Sequence, residues 1–278
     1  MNMGKRSKVA FQGERGAYSE LAARQFFGEE IPLVPCPSFE HVFRAVEKGQ
    51  ARCGVVPIEN SLAGSIHQNY DLLLKYHLQI IGEKSLRVSH NLIAAPQTSL
   101  ARVRRIFSHP QALMQCQNST ARLKNVELIP VYDTAGAVKK IRDENLTDGA
   151  AIASDLAARL YGMKILKRNL EDNPENYTRF LVLSRTGKAP QKADKTSIVF
   201  SLKNLPGALF RSLSVFALRD IDLYKIESRP LHGKPWEYFF YIDFAGNMRH
   251  PNCRNAITHL SEIATFLKIL GSYQRDRA

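Results

Sequence analysis

Short apolar runs alternate with stretches of helical periodicity as far as residue 184. The runs have the length of buried strands and lie at residues 9–11, 54–58, 91–95, 105–107, 126–132, 150–153 and 180–184. Between two of them, residues 38–49 place Phe39, Val42, Phe43 and Val46 on one helical face behind Ser38, a candidate N-cap. Alternation of strands and helices predicts a parallel or mixed α/β sheet.

The pattern changes after residues 187–195, a polar stretch that contains Pro190 and no apolar periodicity. Beyond this stretch we predict strands at 197–202, 221–227, 237–244 and 267–271, with helices at 207–218 and 252–266. The order β-α-β-β-α-β over about 80 residues is typical of a ferredoxin-like domain. We therefore expect a first domain at 1–187, a linker at 188–195 and a second domain at 196–278.

The net charge of +13 is the unusual feature of the composition. The basic residues are scattered along the 278-residue chain and are not interleaved with aromatic residues as in a nucleic-acid-binding segment. We interpret the charge as a surface that attracts anionic metabolites, and we predict no nucleic-acid partner.

The cysteines and the apolar segments indicate the cellular compartment. Cys36, Cys53, Cys116 and Cys253 form no C-x-x-C pair, so we predict no metal site, and their sparseness suits a reducing compartment. No apolar run approaches the ~20 residues of a membrane span. The basic segment at 1–8 lacks the apolar part of a signal peptide. We expect a soluble cytoplasmic protein with no membrane partner.

The polar cluster that follows the run at 54–58 is the most informative. Pro57 has no N–H to donate, so we expect the strand to end there, before Glu59, Asn60 and Ser61. Ligands of open α/β sheets bind beyond the carboxyl ends of the strands. We predict that these three residues hold a small polar molecule. The alternative is that Asn60 and Ser61 cap the next helix while Glu59 is solvated.

Two other strand ends carry candidate anion-binding groups. Gly13 and Gly16 lie in a strand-to-helix turn whose N–H groups could bind an anion; the alternative is an ordinary tight turn. Ser108 precedes a helix with Pro110 in its first turn and Gln115 further along, so Ser108 would lie near N–H groups that favour anions. The alternative is a serine cap with solvent-facing glutamines.

Two further candidate polar groups, Asp133 and Thr178, follow later in the chain. Asp133 precedes the predicted helix at 135–145, where an N-cap role is the simpler interpretation. A turn cluster at 172–176 delivers Thr178, Arg179 and Phe180 at the head of the strand at 180–184. Ser89 and His90 lie between two strand candidates, and we assign them no chemistry.

Several of these stretches together resemble the motifs of prephenate dehydratase. They are Gly13-x-x-Gly16-Ala17-Tyr18-Ser19-Glu20, Val56-Pro57-Ile58-Glu59-Asn60-Ser61-x-x-Gly64, Ser108-His109-Pro110-Gln111-Ala112-Leu113-x-Gln115 and Thr178-Arg179-Phe180. The second half resembles the ACT regulatory domain through Pro206-Gly207-Ala208-Leu209, Glu227-Ser228-Arg229-Pro230 and Leu270-Gly271-Ser272-Tyr273. Residues 65–74 are especially similar to the plant arogenate dehydratases.

The resemblance implies a two-lobed catalytic domain similar to a type II periplasmic binding protein, with the active site between the lobes. Lobe one would comprise about 8–88 and 170–187, and lobe two about 89–169. The implied reaction converts prephenate to phenylpyruvate, CO2 and water in phenylalanine biosynthesis, without a metal or organic cofactor. The implied catalytic residues are Thr178, Glu59 and Arg179, and the implied substrate-binding residues are Asn60, Ser61, Ser108, Gln115, Asp133 and Phe180.

The proton donor to the leaving hydroxyl is left open between two residues. The family pattern assigns this role to Thr178, which we interpret as a hydrogen-bond donor because a threonine has no pKa near neutrality. Glu59 would be the general acid instead if burial raised its pKa; otherwise it orients Asn60 and Thr178. Arg179 would bind a carboxylate or support Thr178.

The implied regulatory domain would bind L-phenylalanine as a feedback inhibitor. The effector residues would be Asn204, Leu205, Pro206, Gly207, Ala208 and Leu209, facing a wall formed by Glu227, Ser228, Arg229 and Pro230. ACT domains typically pair side by side, so the resemblance also implies a homodimer or homotetramer. Gln274 stands where the family usually has proline.

Three alternative functions remain open from the sequence. The first is an enzyme that prefers arogenate, which differs from prephenate only in an amino group in place of the keto group. The second is a two-lobed sensor of small molecules without catalytic activity. The third, suggested only by the charge of +13, is a nucleic-acid-binding protein.

Overall fold

The computed structural model of the chain describes residues 7–187, 190–231, 233 and 236–277. The segment 1–6 and positions 188–189 of the predicted linker lie outside the described residues. Up to residue 87 the elements are β1 (Val9–Gln12), α1 (Tyr18–Phe27), β2 (Leu33–Cys36), α2 (Phe39–Glu47), β3 (Cys53–Asn60), β4 (Gly64–Ser65), α3 (His67–Lys75) and β5 (Gln79–Arg87).

The next elements follow after residue 90. They are β6 (Asn91–Ala94), a 3-10 turn (Leu100–Arg102), β7 (Arg105–Ser108), α4 (Pro110–Gln115), α5 (Gln117–Ala121), β8 (Glu127–Pro130), α6 (Thr134–Asp143), β9 (Gly149–Ala153), α7 (Asp155–Tyr161) and β10 (Lys164–Lys167). The remaining elements are β11 (Tyr177–Ser184), β12 (Lys195–Leu202), α8 (Ala208–Ala217), β13 (Leu223–Pro230), β14 (Tyr238–Ala245), α9 (Pro251–Ile263) and β15 (Ala264–Tyr273).

The first sheet has the strand order β2-β1-β3-β11-β5, with the short β4 paired to β3. β1 pairs in parallel with both β2 and β3. Ser38 caps α2 by accepting a hydrogen bond from the N–H of His41, as the sequence predicts. Val42, Phe43 and Val46 of that helix are fully buried, because the helical period places them on one apolar face.

Pro57 does not end its strand, contrary to the expectation from the sequence. β3 continues to Asn60, and its last two residues pair with β4. The pairing of β3 with β1 already stops at Val55, so the missing N–H of Pro57 removes no bond on that side. The Pro57 carbonyl accepts from Asn69 Nδ2 at 2.6 Å. Glu59 and Asn60 therefore lie at the end of a strand and not in a free loop.

The second sheet has the strand order β10-β6-β9-β7-β8. In the first sheet β1 lies between β2 and β3, and β11, which enters from the other lobe, follows β3. In the second sheet β7 lies between β8 and β9, and β6, which enters from the first lobe, follows β9. This order is the topology of type II periplasmic binding proteins. The chain passes from the first sheet to the second between residues 87 and 91 and returns between 167 and 177.

The third sheet is antiparallel, with the strand order β13-β14-β12-β15. α8 and α9 contribute Phe216, Ala256 and Leu260 to a core that includes Phe200 and Phe244 of the sheet. This β-α-β-β-α-β arrangement confirms the predicted ferredoxin-like domain. The predicted helix at 252–266 ends earlier, at Ile263, because residues 264–266 join β15 and pair with β12.

The chain divides into two compact units. The first contains the described residues of 1–69 together with 84–180, and the second contains 70–83 and 181–277. The second unit is larger than the domain expected at 196–278. Its extra segment includes the end of α3, where Lys268 Nζ donates to the Leu73 carbonyl at 2.8 Å and Arg229 pairs with Asp71 at 3.0 Å. Among the described residues, no helix is long and apolar enough to cross a membrane.

Gly16 lies where the two lobes of the first unit meet. Its φ is +91°, and a Cβ there would lie 2.6 Å from the Cα of Ala157 in α7. Ser154 Oγ donates to the Gly16 carbonyl at 2.6 Å, so the β1–α1 turn is held against the second lobe. A side chain at this position would separate the two surfaces.

Replacement of Gly16 tests this packing. We expect Gly16→Ala to lose ~1–3 kcal/mol of unfolding free energy from backbone strain and about as much again from overpacking. Gly28→Ala is the matched control, because Gly28 has a φ of +100° but no atom within 4 Å of the added Cβ. Urea unfolding followed by circular dichroism gives both values. Equal losses in the two variants would contradict the predicted contact.

Candidate functional site

A cavity of about 410 Å³ lies between the two lobes of the first unit. Its volume is in the range of sites for small molecules. Residues from both lobes line it, including Gln12, Tyr18, Asn60, Ile66, His90, Gln111, Gln115, Tyr132, Asp133, Thr178 and Phe180. Among the described residues that line the cavity there is no lysine or arginine, so these polar groups are neutral donors and acceptors apart from the carboxylate of Asp133.

Asn60 connects the end of β3 to the start of β11. Its Oδ1 accepts from the backbone N–H groups of Leu62 and Ala63 at 3.0 and 2.9 Å. Its Nδ2 donates to Asn176 Oδ1 at 2.7 Å and to Thr178 Oγ1 at 3.0 Å. The carboxamide is thus held from both ends, and it holds the Thr178 side chain in turn.

Thr178 and Phe180 line the cavity, whereas Arg179 between them does not. This difference follows from the strand geometry, since successive side chains of β11 point to opposite faces. Thr178 is 9% exposed, and its oxygen accepts from Asn60, which leaves its own hydrogen for another acceptor. The hydroxyl can therefore donate to a molecule in the cavity.

Glu59 and Arg179 form an ion pair with an Nε to Oε1 distance of 2.6 Å. Neither residue is among those that line the cavity. Both side chains are partly buried, with exposed fractions of 29% for Glu59 and 11% for Arg179. The structure brings the two together beside the strand ends that carry Asn60 and Thr178, and not into the cavity itself.

The side chains of the two predicted serines both form hydrogen bonds within the protein. Ser61 Oγ donates to the Glu175 carbonyl at 2.8 Å and accepts from the N–H of Tyr177 at 2.9 Å. Ser108 is fully buried and donates to the Ile152 carbonyl at 2.6 Å. Neither lines the cavity. The N-cap of α4 is His109 and not Ser108, because the strand β7 continues through Ser108.

Gln115 lines the cavity from the second lobe. Its Oε1 lies 3.0 Å from Asn176 Nδ2 and 3.1 Å from His90 Nε2. His90 Nδ1 in turn lies 3.0 Å from the Tyr18 hydroxyl, which donates to the Ser89 carbonyl at 2.7 Å. Burial is the main cause of a lowered pKa at His90 and of a raised pKa at Tyr18, so both are neutral near pH 7.

Asp133 has two roles in the structure. It caps α6 through a hydrogen bond from the N–H of Gly136 at 2.7 Å, and it also lines the cavity. It is 7% exposed, and this burial raises the pKa of its carboxyl against the opposing effect of the backbone hydrogen bonds. A Cβ at Gly13 would lie 2.5 Å from Asp133 Oδ2, so a side chain there would displace this carboxylate.

The Gly13–Gly16 turn is a tight turn and not an open anion-binding loop. The Gly13 N–H donates to the Cys36 carbonyl at 2.9 Å. The Gly16 N–H donates to Glu20 Oε2 at 2.8 Å, and Glu20 is fully buried. Both N–H groups are therefore satisfied within the protein.

The second unit contains a separate pocket of about 200 Å³. Five residues of the predicted effector segment line it together with side chains near the start of β14: Asn204, Leu205, Gly207, Ala208, Leu209, Trp236, Tyr238 and Phe240. Pro206 is not among the lining residues. Nor are Glu227, Ser228, Arg229 and Pro230, which lie along the edge strand β13. Gly207 is the N-cap of α8, with a φ of +76° and no side-chain cap.

Comparison with known proteins identifies the family. The family model of prephenate dehydratase matches residues 9–188. Arogenate dehydratase/prephenate dehydratase 2, chloroplastic, of Arabidopsis thaliana is 49% identical over 284 residues, which are 98% of this chain and 74% of that protein. The chain belongs to the prephenate dehydratase family. It is an enzyme of the carbon–oxygen lyase class, as the motifs predict.

Two solved structures are similar to this chain over nearly its whole length. The prephenate dehydratase from Arthrobacter aurescens, in complex with L-Phe, has a TM-score of 0.89 and 33% identity over 96% of this chain and 90% of its own. GqqA, described as a novel type of quorum quenching acylase, has a TM-score of 0.89 and 36% identity over 97% of this chain and 98% of its own. Similarity extends through the second unit in both.

Three residues in or beside this cavity are not among those predicted from the sequence. Asn176 connects Gln115 to Asn60, and His90 and Tyr18 continue the hydrogen-bonded chain beyond Gln115. His90 follows the strand that crosses between lobes, so its position at a lobe junction was the available signal. Asn176 lies in a turn cluster and gave no signal of its own. In the part of the chain that the structure describes, no group of His, Cys, Asp or Glu is arranged to hold a metal ion.

The raised pKa of Asp133 predicts how stability depends on pH. The folded state binds this proton more tightly than the unfolded chain does, so Asp133 lowers the free energy of unfolding as pH rises above its ordinary pKa of 3.8. Asp133→Asn keeps a side-chain oxygen for the Gly136 N–H and removes the titration. Unfolding at several pH values from about 4 to about 7 should show the wild type losing stability relative to the variant. A constant difference would contradict the assignment.

Proposed function

We propose that this enzyme catalyses the decarboxylative dehydration of prephenate in the cavity between its lobes. The bond from the ring to its carboxylate breaks, and the electron pair enters the ring as CO2 leaves. The C4–oxygen bond breaks at the other side, and the departing hydroxide takes a proton to become water. Phenylpyruvate remains. The observation that carries the proposal is the Thr178 hydroxyl, which lines the cavity with its hydrogen free to donate.

The neutral wall suits a carboxylate that must depart. A lysine or arginine paired with it would stabilise the ground state more than the transition state, in which the charge moves into the ring. Gln115 binds through amide hydrogens, which are weaker partners for a carboxylate than a guanidinium. Phe180 and Ile66 supply apolar wall that limits water around the reacting carbons.

Thr178, rather than Glu59, is the proposed donor to the leaving oxygen. The support is geometric: Glu59 is bonded to Arg179 and is absent from the residues that line the cavity. We propose that the Glu59–Arg179 pair positions the end of β3 against β11, where Asn60 meets Thr178. Ser61 and Ser108 are proposed to support the same strand ends and not to touch the substrate.

Turnover measurements test the proposed reaction and its substrate. Purified protein is assayed on prephenate for phenylpyruvate and on arogenate for phenylalanine, because relatives carry both names. Production of phenylpyruvate supports the proposal, and a strong preference for arogenate would change the substrate but keep the site. Hydrolysis of the amide bond of an N-acylated amine, without turnover of prephenate or arogenate, would favour the activity named for GqqA.

Substitution of Thr178 tests its role as donor. Thr178→Val keeps the shape and removes the hydroxyl, so we expect kcat to fall about 10²–10³-fold, the usual effect of losing one donor to a developing charge. Thr178→Ser restores a hydroxyl and should recover most of the rate. Thermal unfolding of each variant confirms that the fold is retained. A Val variant with wild-type kcat would exclude Thr178 as the donor.

We further propose that residues 1–187 are the catalytic domain and that residues 196–278, after the linker 188–195, are an ACT regulatory domain that binds L-phenylalanine as an inhibitor. The pocket of about 200 Å³ beside the start of α8 supports this, because helix N-termini favour a carboxylate and the remaining wall is largely apolar. The relative from Arthrobacter aurescens was solved in complex with L-Phe.

The second wall of this effector site is proposed to come from another copy of the chain. Glu227, Ser228, Arg229 and Pro230 lie on the edge strand β13 and do not line the pocket of their own chain. Side-by-side pairing of two such sheets would place them opposite the partner's pocket. Exposed Phe210, Ile226 and Trp236 would be covered at the same time. A homodimer or homotetramer is therefore proposed, and light scattering after size exclusion measures it.

Gly207 offers a test of the effector site. Gly207→Asp puts a carboxylate at the start of α8, where it would repel the carboxylate of phenylalanine. We expect the phenylalanine concentration for half-inhibition to rise at least about tenfold while kcat stays unchanged. Gly162→Asp is the matched control, since both glycines have left-handed φ values, +76° and +64°, and open space around the added Cβ. Unchanged inhibition in the Gly207 variant would locate the effector elsewhere.

The compartment is proposed to be the cytoplasm. The four cysteines are all free and buried, which suits a reducing compartment. The Arabidopsis relative is described as chloroplastic, so imaging of the tagged protein in its own cell decides between a metabolic organelle and the cytoplasm.

A further inference from the structure

Two backbone N–H groups determine the direction of a hydrogen-bond chain across the cavity wall. Leu62 and Ala63 both donate to the same atom of the Asn60 side chain. Only the carboxamide oxygen can accept, so Asn60 must turn its nitrogen toward β11. Asn60 Nδ2 therefore donates to Asn176 Oδ1 at 2.7 Å and to Thr178 Oγ1 at 3.0 Å.

The donor–acceptor direction set by Asn60 also determines the hydrogen bonds of Gln115 and His90 in the second lobe. Since Asn176 accepts from Asn60 through its oxygen, its Nδ2 must be the atom that faces Gln115 Oε1 at 3.0 Å. Gln115 Oε1 then has only acceptor capacity for its next neighbour, His90 Nε2, at 3.1 Å. His90 must therefore carry a hydrogen on Nε2. Asn176 is fully buried and His90 is 2% exposed, so water does not replace these partners.

The other side of His90 fits the same assignment. Its Nδ1 lies 3.0 Å from the Tyr18 hydroxyl. Burial lowers the pKa of His90 and raises that of Tyr18, so a neutral imidazole faces a neutral phenol. A neutral imidazole carries one hydrogen, and with Nε2 protonated its Nδ1 can only accept. The single hydroxyl hydrogen of Tyr18 is then shared between His90 Nδ1 at 3.0 Å and the Ser89 carbonyl at 2.7 Å.

We propose that His90 is a positioning residue that holds Gln115 with its Nε2 hydrogens directed into the cavity, where they bind a carboxylate of the substrate. This inference rests on the proposed lyase function. A Gln115 amide turned the other way would face Asn176 and His90 with its nitrogen, lose two hydrogen bonds and present an oxygen to the substrate carboxylate. His90 thereby selects the orientation that attracts the substrate.

A double-mutant cycle tests the proposal through activity. His90→Leu removes both ring nitrogens, and we expect kcat/KM to fall about 10–100-fold, mainly through a higher KM, as for the loss of a charged hydrogen bond. In a Gln115→Ala background the same change should have little further effect, because His90 would act only through Gln115. His90→Gln, which retains a side-chain N–H donor, should recover much of the lost kcat/KM.

The contrary outcomes are distinct. An equal loss in both backgrounds, or no loss in either, would overturn the proposal, because His90 would then act independently of Gln115. A lowered unfolding temperature with a proportional loss of active protein would indicate a merely structural role. His77→Leu is the surface control, since His77 is exposed, and should leave KM unchanged.

A spectroscopic measurement tests the same assignment without activity. Nitrogen chemical shifts of the imidazole groups, with the His90 signal identified by its loss in His90→Gln, report which ring nitrogen is protonated. A neutral ring with hydrogen on Nε2 supports the proposal even if neither prephenate nor arogenate is turned over, in which case only the proposed function fails. Hydrogen on Nδ1 alone would overturn the proposal even in an active enzyme.

Discussion

The site depends on one carboxamide held between two distant parts of the chain. Asn60 binds the backbone of its own loop through oxygen and the start of β11, more than a hundred residues away, through nitrogen. Because a reversed amide would lose its bonds from the Leu62 and Ala63 N–H groups, Asn60 sets both the position and the donor–acceptor direction of its neighbours. Ser61 strengthens the same junction through its bonds to Glu175 and Tyr177. Thr178 is oriented because this junction is rigid.

The distribution of charge around the cavity follows from the same geometry. Strand alternation turns Arg179 away from the face that carries Thr178 and Phe180, and Glu59 neutralises it beside the strand end. The wall contains amides, hydroxyls, two histidines whose pKa is lowered by burial, and the carboxylate of Asp133, whose oxygen also caps α6. In the proposed reaction such a wall would bind an anion without the strong ion pair that would resist loss of CO2. The overall charge of +13 attracts anions to the protein but is absent from the lining of the cavity.

The correspondence between sequence and structure was closest where the cause is local. Ser38 and Asp133 cap helices as their spacing predicts, and the two kinds of sheet follow from the change of pattern after residue 184. The predicted strand and helix ends were wrong where strand pairing determines the end of an element. Pro57 stays within β3 because its neighbour strand has already ended, and residues 264–266 become strand because β12 offers them partners. Local signals cannot report a partner that lies far along the chain.

By itself, the sequence determined the family, the element order and the residues Asn60, Gln115, Asp133 and Thr178 that line the cavity, because motif spacing and helix caps are properties of short segments. Only the tertiary structure decided what each side chain does. It paired Glu59 with Arg179 outside the cavity, used Ser61 and Ser108 internally, and brought Tyr18, His90 and Asn176 into one hydrogen-bonded chain. Hydrogen bonds across the lobes require donor and acceptor atoms about 3 Å apart. That proximity exists only in the folded chain.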